Sequence, residues 1–186
     1  MTSGQRMPAA DLGLWRTITV TSCGLGLLRP ASGSWGSLPP PAFVMALVWL
    51  GLPWWSVSVM LALVAALSTI GCIRYGDAAE RSFGAKDPSS VVLDETAGCA
   101  VTLLAVPWWM VLGTDGGALA RAALVGAVGF TFFRLFDVWK PGFVRDLQNQ
   151  QGGWGIVLDD LAAGAWAWPP TVISCAVALR VFPIPG

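Results

Sequence analysis

A chain of 186 residues that is 55% hydrophobic and only 12% charged has the composition of a membrane protein, since soluble domains carry roughly 25% charged residues. Its 11 bases and 11 acids cancel, which leaves no bulk positive field to hold nucleic acid. Histidine is absent, so imidazole-based triads, zinc sites and phosphotransfer are excluded, and any chemistry must run on carboxylates, Arg, Lys, hydroxyls, thiols or backbone.

Met1 to Asp11 is polar, with Arg6 its only base, and predicts no cleaved signal peptide. Gly24 to Ser37 is a glycine-rich run. Closely spaced glycines let backbone N–H groups converge on an anion, and the N-terminus of a following helix adds partial positive charge. The run lacks the Gly-Lys-Ser/Thr ending of a nucleotide P-loop, and it reads equally as a flexible entry to a membrane helix. The apolar stretch Phe43 to Leu52 predicts a helix starting near Leu38, with Pro39 to Pro41 in its first turn. Pro53 with Trp54 and Trp55 then predicts a turn at a membrane interface, and Trp54 to Ile73 supplies the roughly 20 apolar residues of a full span.

Asp94 and Glu95 stand where the next apolar stretch, Ala97 to Gly113, begins, a position where acids also complement a helix dipole. A tight turn at Thr114 to Gly117 follows, then the apolar stretch Ala118 to Phe133. Arg134, Asp137 and Lys140 are spaced three apart, so a helix continuing from that stretch carries them on nearly one face until Pro141 ends it. An interfacial ion-pair ladder is the other reading. Lys140 to Arg145 combines basic and apolar residues suited to anionic lipid headgroups or to ordinary topogenic charge. Finally, Asp159 and Asp160 lead into the apolar stretch Leu161 to Phe182, which Pro169-Pro170 interrupts. Two acids at a membrane boundary need a counter-charge, and a divalent cation offers one. The four cysteines, Cys23, Cys72, Cys99 and Cys175, match no zinc or redox spacing and read as buried small hydrophobes.

With the Pro53 and Gly116 turns on one side of the bilayer, residues 1–37, 74–96 and 134–160 lie on the other. Nine of the 11 bases fall there (Arg6, Arg16, Arg29, Arg74, Arg81, Lys86, Arg134, Lys140 and Arg145), which makes that face cytoplasmic. Every acid except Asp115 falls there too, which the positive-inside rule does not require. An anion cradle and recurring carboxylates on one face suggest a metal bridged to a phosphate, and oxygen donors favour Mg2+ over zinc.

Taken in order, the Gly-Ser-x-Gly-Ser segment, Asp94-Glu95-x-x-Gly98, Phe133-Arg134-x-x-Asp137-x-x-Lys140-Pro141 and Gly152-Gly153-x-Gly155-Ile156-x-x-Asp159-Asp160-x-x-Ala163-Gly164 resemble the phosphatidylglycerophosphatase A family over residues from about 22 to 166. The resemblance implies a single all-α domain, a polytopic membrane bundle of about four to five hydrophobic helices in the bacterial cytoplasmic membrane. Its active site faces the cytoplasm. The implied activity is Mg2+-dependent removal of the terminal phosphate of phosphatidylglycerophosphate, with the phospholipid bound in the bilayer. Carried over residue by residue, Glu95, Asp137, Asp159 and Asp160 become metal ligands or supports, with Asp94 beside them. Arg134 and Lys140 hold phosphate oxygens, and Arg29, Gly33, Ser34, Gly36 and Ser37 complete the cradle. Asp137, Asp160, Arg134 and Lys140 carry the catalysis, by direct water attack or through an aspartyl-phosphate. This chain has Ser32-Gly33-Ser34 where the family usually has Pro-Gly-Thr, and Pro141-Gly142-Phe143 where it usually has Pro-x-Pro.

Two alternatives stand beside this reading. Cys23 and Arg29 have the Cys-x5-Arg spacing of thiolate phosphatases, though Ser22 stands where such sites usually carry His. A non-catalytic membrane scaffold or transporter subunit explains the hydrophobicity but not the recurring acids. Asp115 to Arg121 is one residue longer than the start of the CDP-alcohol phosphotransferase signature and lacks its downstream Asp residues.

Overall fold

The computed structural model describes residues 12–113, 117–140 and 152–181, and among these the chain is helical, with no strand. Proline and glycine set most of the boundaries. A short α1 (Leu14–Val20) leads through a 3-10 turn (Leu25–Leu27) to a one-turn α2 (Ser32–Gly36). α3 (Pro39–Trp49) opens on prolines, as expected, because the first turn of a helix needs no N–H partner there. Extended Pro53 precedes α4 (Trp54–Phe83), which Gly84 ends in the left-handed conformation at φ 67. Next come α5 (Leu93–Leu104), the single turn α6 (Trp108–Val111) and α7 (Ala118–Trp139). α8 (Gly152–Trp166) and α9 (Trp168–Val181) follow, separated only by Ala167 just ahead of Pro169-Pro170.

α4 and α7 are long and apolar enough to cross a membrane. Only 33% of the most apolar window of each is buried, and Leu63, Leu67 and Ile70 of α4 face outward. Such an exterior suits lipid rather than water. At 30 residues α4 is about 45 Å long, so it outruns a hydrocarbon core of about 30 Å and carries Arg74, Asp77, Glu80 and Arg81 beyond the expected end at Ile73. The other helices are shorter than a span, with 11 residues in α3, 12 in α5, 15 in α8 and 14 in α9. The stretch Ala97 to Gly113 is not one helix, because Pro107 breaks it. Asp159 and Asp160 also differ from expectation, lying inside α8 rather than at its start. Met1–Asp11, residues 114–116 of the predicted turn, and Pro141–Arg145 lie outside the described residues.

The core is the mutual packing of α4, α5 and α8, and glycines set its spacing. A Cβ on Gly76 of α4 would lie 2.5 Å from the Gly153 Cα of α8. A Cβ on Gly98 of α5 would lie 2.5 Å from both the Asp160 carbonyl oxygen and the Phe133 ring. α8 therefore meets α4 and α5 at near backbone contact. Its first turn is capped from outside, as the Gly153 N–H donates to Asp77 Oδ1 of α4 at 3.1 Å.

Candidate active site

The close crossing of α5 and α8 brings together acids that are far apart in sequence. Asp94 and Glu95, in the first turn of α5, meet Asp160 of α8 with one carboxylate oxygen from each within 4.8 Å of the others. Asp94 Oδ1, Glu95 Oε2 and Asp160 Oδ2 are buried without a hydrogen-bond partner. Buried carboxylate oxygens left unpaired are costly, and hard oxygen donors of this kind fit a divalent cation.

Two bases flank the trio. Arg134 Nη1 lies 2.6 Å from Asp137 Oδ2 and 4.0 Å from Glu95 Oε1, and the i,i+3 spacing on α7 makes the first pair, as expected. Lys140 follows α7 at φ 46, a left-handed turn seldom taken by a residue with a side chain. Its ammonium contacts Asp159 Oδ2 at 2.5 Å and Asp137 Oδ1 at 4.0 Å. Asp137 and Asp159 thus stand outside the acidic trio, each paired with a base. Five carboxylates against two bases leave three negative charges uncompensated when all are ionised.

The glycine-rich run reaches this cluster at one point. A Cβ on Gly33 would collide with Glu95 Oε1 and lie within 3.0 Å of both terminal nitrogens of Arg134. The rest of the run fastens the loop. Ser32 Oγ donates to the Ser89 carbonyl at 2.6 Å, and Arg29 donates to Ser89 Oγ at 3.1 Å. Ser37 Oγ donates to the Gly33 carbonyl at 2.7 Å, while Gly36 packs against Val92. Ser34 lies half-buried next to Gly33. Thr96 was not singled out by its pattern, yet its hydroxyl donates to the Gly36 carbonyl at 2.7 Å and lies 2.8 Å from Ser22 Oγ, pinning the loop to α5.

Cys72, Cys99 and Cys175 are buried as expected, but Cys23 is exposed. It lines a mainly apolar groove with Leu25, Phe43 and Leu67 whose lining holds no basic residue, and Arg29 is engaged by Ser89. The thiolate phosphatase alternative therefore lacks its cradle.

Burial first, and then neighbouring carboxylates, push Asp94 and Asp160 well above the usual carboxylate range, and burial pushes Glu95 up to about 8. The unfolded chain releases these protons near pH 4, whereas the metal-free fold retains them, so stability falls as pH rises from about 4 through about 8. Metal-free protein in detergent is expected to lose several degrees of melting temperature between pH 5 and pH 9, and Mg2+ should restore more at pH 9 than at pH 5. A melting temperature that ignores both pH and Mg2+ contradicts this.

The phosphatidylglycerophosphatase A family model matches residues 18–174, most of the chain. The protein belongs to that family. It is 31% identical over 154 residues to phosphatidylglycerophosphatase A of Escherichia coli, covering 81% of this chain and 77% of that one. The counterpart in Haemophilus influenzae is 30% identical over 148 residues, 77% of this chain and 78% of its own. A Bacteroides thetaiotaomicron protein named "Putative phosphatidylinositol-3-phosphatase" is 33% identical over 153 residues, 80% of this chain and 86% of its own. No solved structure matches.

Proposed function

We propose that this phosphatidylglycerophosphatase A family member is a Mg2+-dependent lipid phosphatase that converts phosphatidylglycerophosphate to phosphatidylglycerol and inorganic phosphate at the cytoplasmic face of a multi-pass membrane bundle. The observation that carries this reading is the trio Asp94, Glu95 and Asp160, with buried unpaired oxygens, beside Arg134. The cytoplasmic orientation rests on the segregation of charge.

Asp94, Glu95 and Asp160 would hold the cation. When bound, Mg2+ supplies Lewis-acid polarisation of a phosphoryl oxygen. Arg134 presents a planar fork to two phosphate oxygens and Lys140 a point charge to a third, so that two positive charges meet the dianionic monoester. Asp137 and Asp159 pair with these two bases and hold them beside the acidic trio. Gly33 lets the loop backbone approach Glu95 and Arg134 together.

Purified protein in detergent, given phosphatidylglycerophosphate, is expected to release phosphate with Mg2+ and not with chelator. Phosphatidylinositol 3-phosphate, given in parallel, is expected to be the poorer substrate. Full activity in chelator overturns the metal assignment, and release from neither lipid overturns the phosphatase reading.

A further inference from the structure

A second apolar groove, about 420 Å³ in volume, runs between α3 and α7, within the usual range of small-molecule pockets. Leu38, Pro41 and Met45 line one wall, and Ala123, Ala127 and Phe130 line the other. Gly126 closes its floor, where an added Cβ would meet Pro41 Cβ at 3.2 Å.

Both walls lead to the bases of the acidic cluster. On α7, Arg134 lies four residues beyond Phe130, seven beyond Ala127 and eleven beyond Ala123, all on one helical face. One helical turn, about 6 Å, separates Phe130 from Arg134. On the other wall Leu38 lies five residues after Gly33, whose Cβ position is 2.9 Å from Arg134 Nη1. An uncharged trough thus stops one helical turn short of Arg134 on α7, and Lys140 with its carboxylate partners follows at the end of that helix. That profile complements an amphiphile with an anionic head and an alkyl tail.

We infer that the α3–α7 groove binds one acyl chain of the glycerophospholipid substrate and delivers its phosphate monoester to Arg134. The inference rests on the phosphatase reading and adds the path by which lipid reaches the site. The groove borders α7, one of the two helices suited to a membrane span, so a chain can enter it sideways from lipid. The glycerol head then meets the charged cluster without leaving the interface. Groove residues accordingly determine how well long-chain lipid is used.

The test compares dioleoyl with dihexanoyl phosphatidylglycerophosphate in Mg2+. The proteins compared are the wild type, Ala127→Trp, Ala123→Trp and, as a control in the groove lined by Cys23, Leu67→Trp. Filling the α3–α7 groove should lower kcat/KM for dioleoyl lipid at least about tenfold more than for dihexanoyl lipid, and Leu67→Trp should not shift that ratio. Phe130→Ala, which widens the groove at its head, should also alter the ratio. Wild-type activity on both lipids with an unchanged ratio in all variants overturns the groove assignment, as does a shift confined to Leu67→Trp. A change in oligomeric mass caused by Ala127→Trp would instead make the groove a contact between copies and also overturn it. Wild-type failure on both lipids would reject the phosphatase reading itself.

Discussion

Asp160→Asn is expected to lower Mg2+-dependent phosphate release by a factor on the order of 10²–10⁴ while raising the melting temperature of the metal-free protein. The two effects have one origin. Asp160 is buried, and one of its oxygens has no hydrogen-bond partner. Asn keeps the shape and needs no proton, whereas burial obliges Asp160 to take one up in the metal-free fold above about pH 4, so the substitution relieves the empty fold of that cost. The same change removes a donor to the cation, and the Mg2+-induced rise in melting temperature should shrink with it. Retained activity and an unchanged Mg2+ response would remove Asp160 from the site. Lost activity with a lower metal-free melting temperature would make it a structural residue instead.

Replacing Arg134 should produce the second large effect. Its guanidinium lies 2.6 Å from Asp137 in a poorly exposed setting, and removing one member of such a pair costs about 3–5 kcal/mol because the other stays buried and charged. Arg134→Ala should therefore both destabilise the protein and lower kcat/KM by about 10²–10³-fold. Arg134→Lys keeps the charge and loses the fork, so it should recover more stability than activity. The double variant Arg134→Ala/Asp137→Ala separates the roles, as stability should return toward wild type while activity stays low. Recovery of activity in that double variant would place Arg134 outside the phosphate site.

Features governed by local chemistry were legible in the sequence. Pro39 and Pro53 mark helix starts because proline suits the first turn or the position before it, and α3 and α4 begin there. The three-residue spacing of Arg134 and Asp137 fixes a shared helix face, which is why their ion pair could be anticipated. Motif order pointed to the family. Partner choice was less legible. Asp159 and Asp160 are adjacent, yet helical geometry sends them in different directions, one to Lys140 and the other toward Asp94 and Glu95. The left-handed turn that swings Lys140 onto Asp159 has no glycine to announce it.

The extent of the long apolar helices is also less legible in the sequence. Apolar runs report where lipid-compatible residues lie, whereas helices end where backbone partners run out. α4 therefore continues through charged residues to Phe83, and the run from Ala97 to Gly113 stops at Pro107. No local pattern marks Thr96, because its role depends on the loop carrying Gly36, sixty residues away. The same holds for Asp77, whose capping of α8 spans 76 residues of sequence.

The surplus length of α4 makes it a depth gauge for the whole molecule. Asp77 sits on the charged end of that helix and holds the first turn of α8, so the height of the acid-bearing helix is tied to how deeply α4 is sunk. With α4 spanning as proposed, thicker bilayers draw that end toward the headgroups and thinner ones lift it away. Catalytic output would then track the thickness of the membrane whose lipid the protein makes.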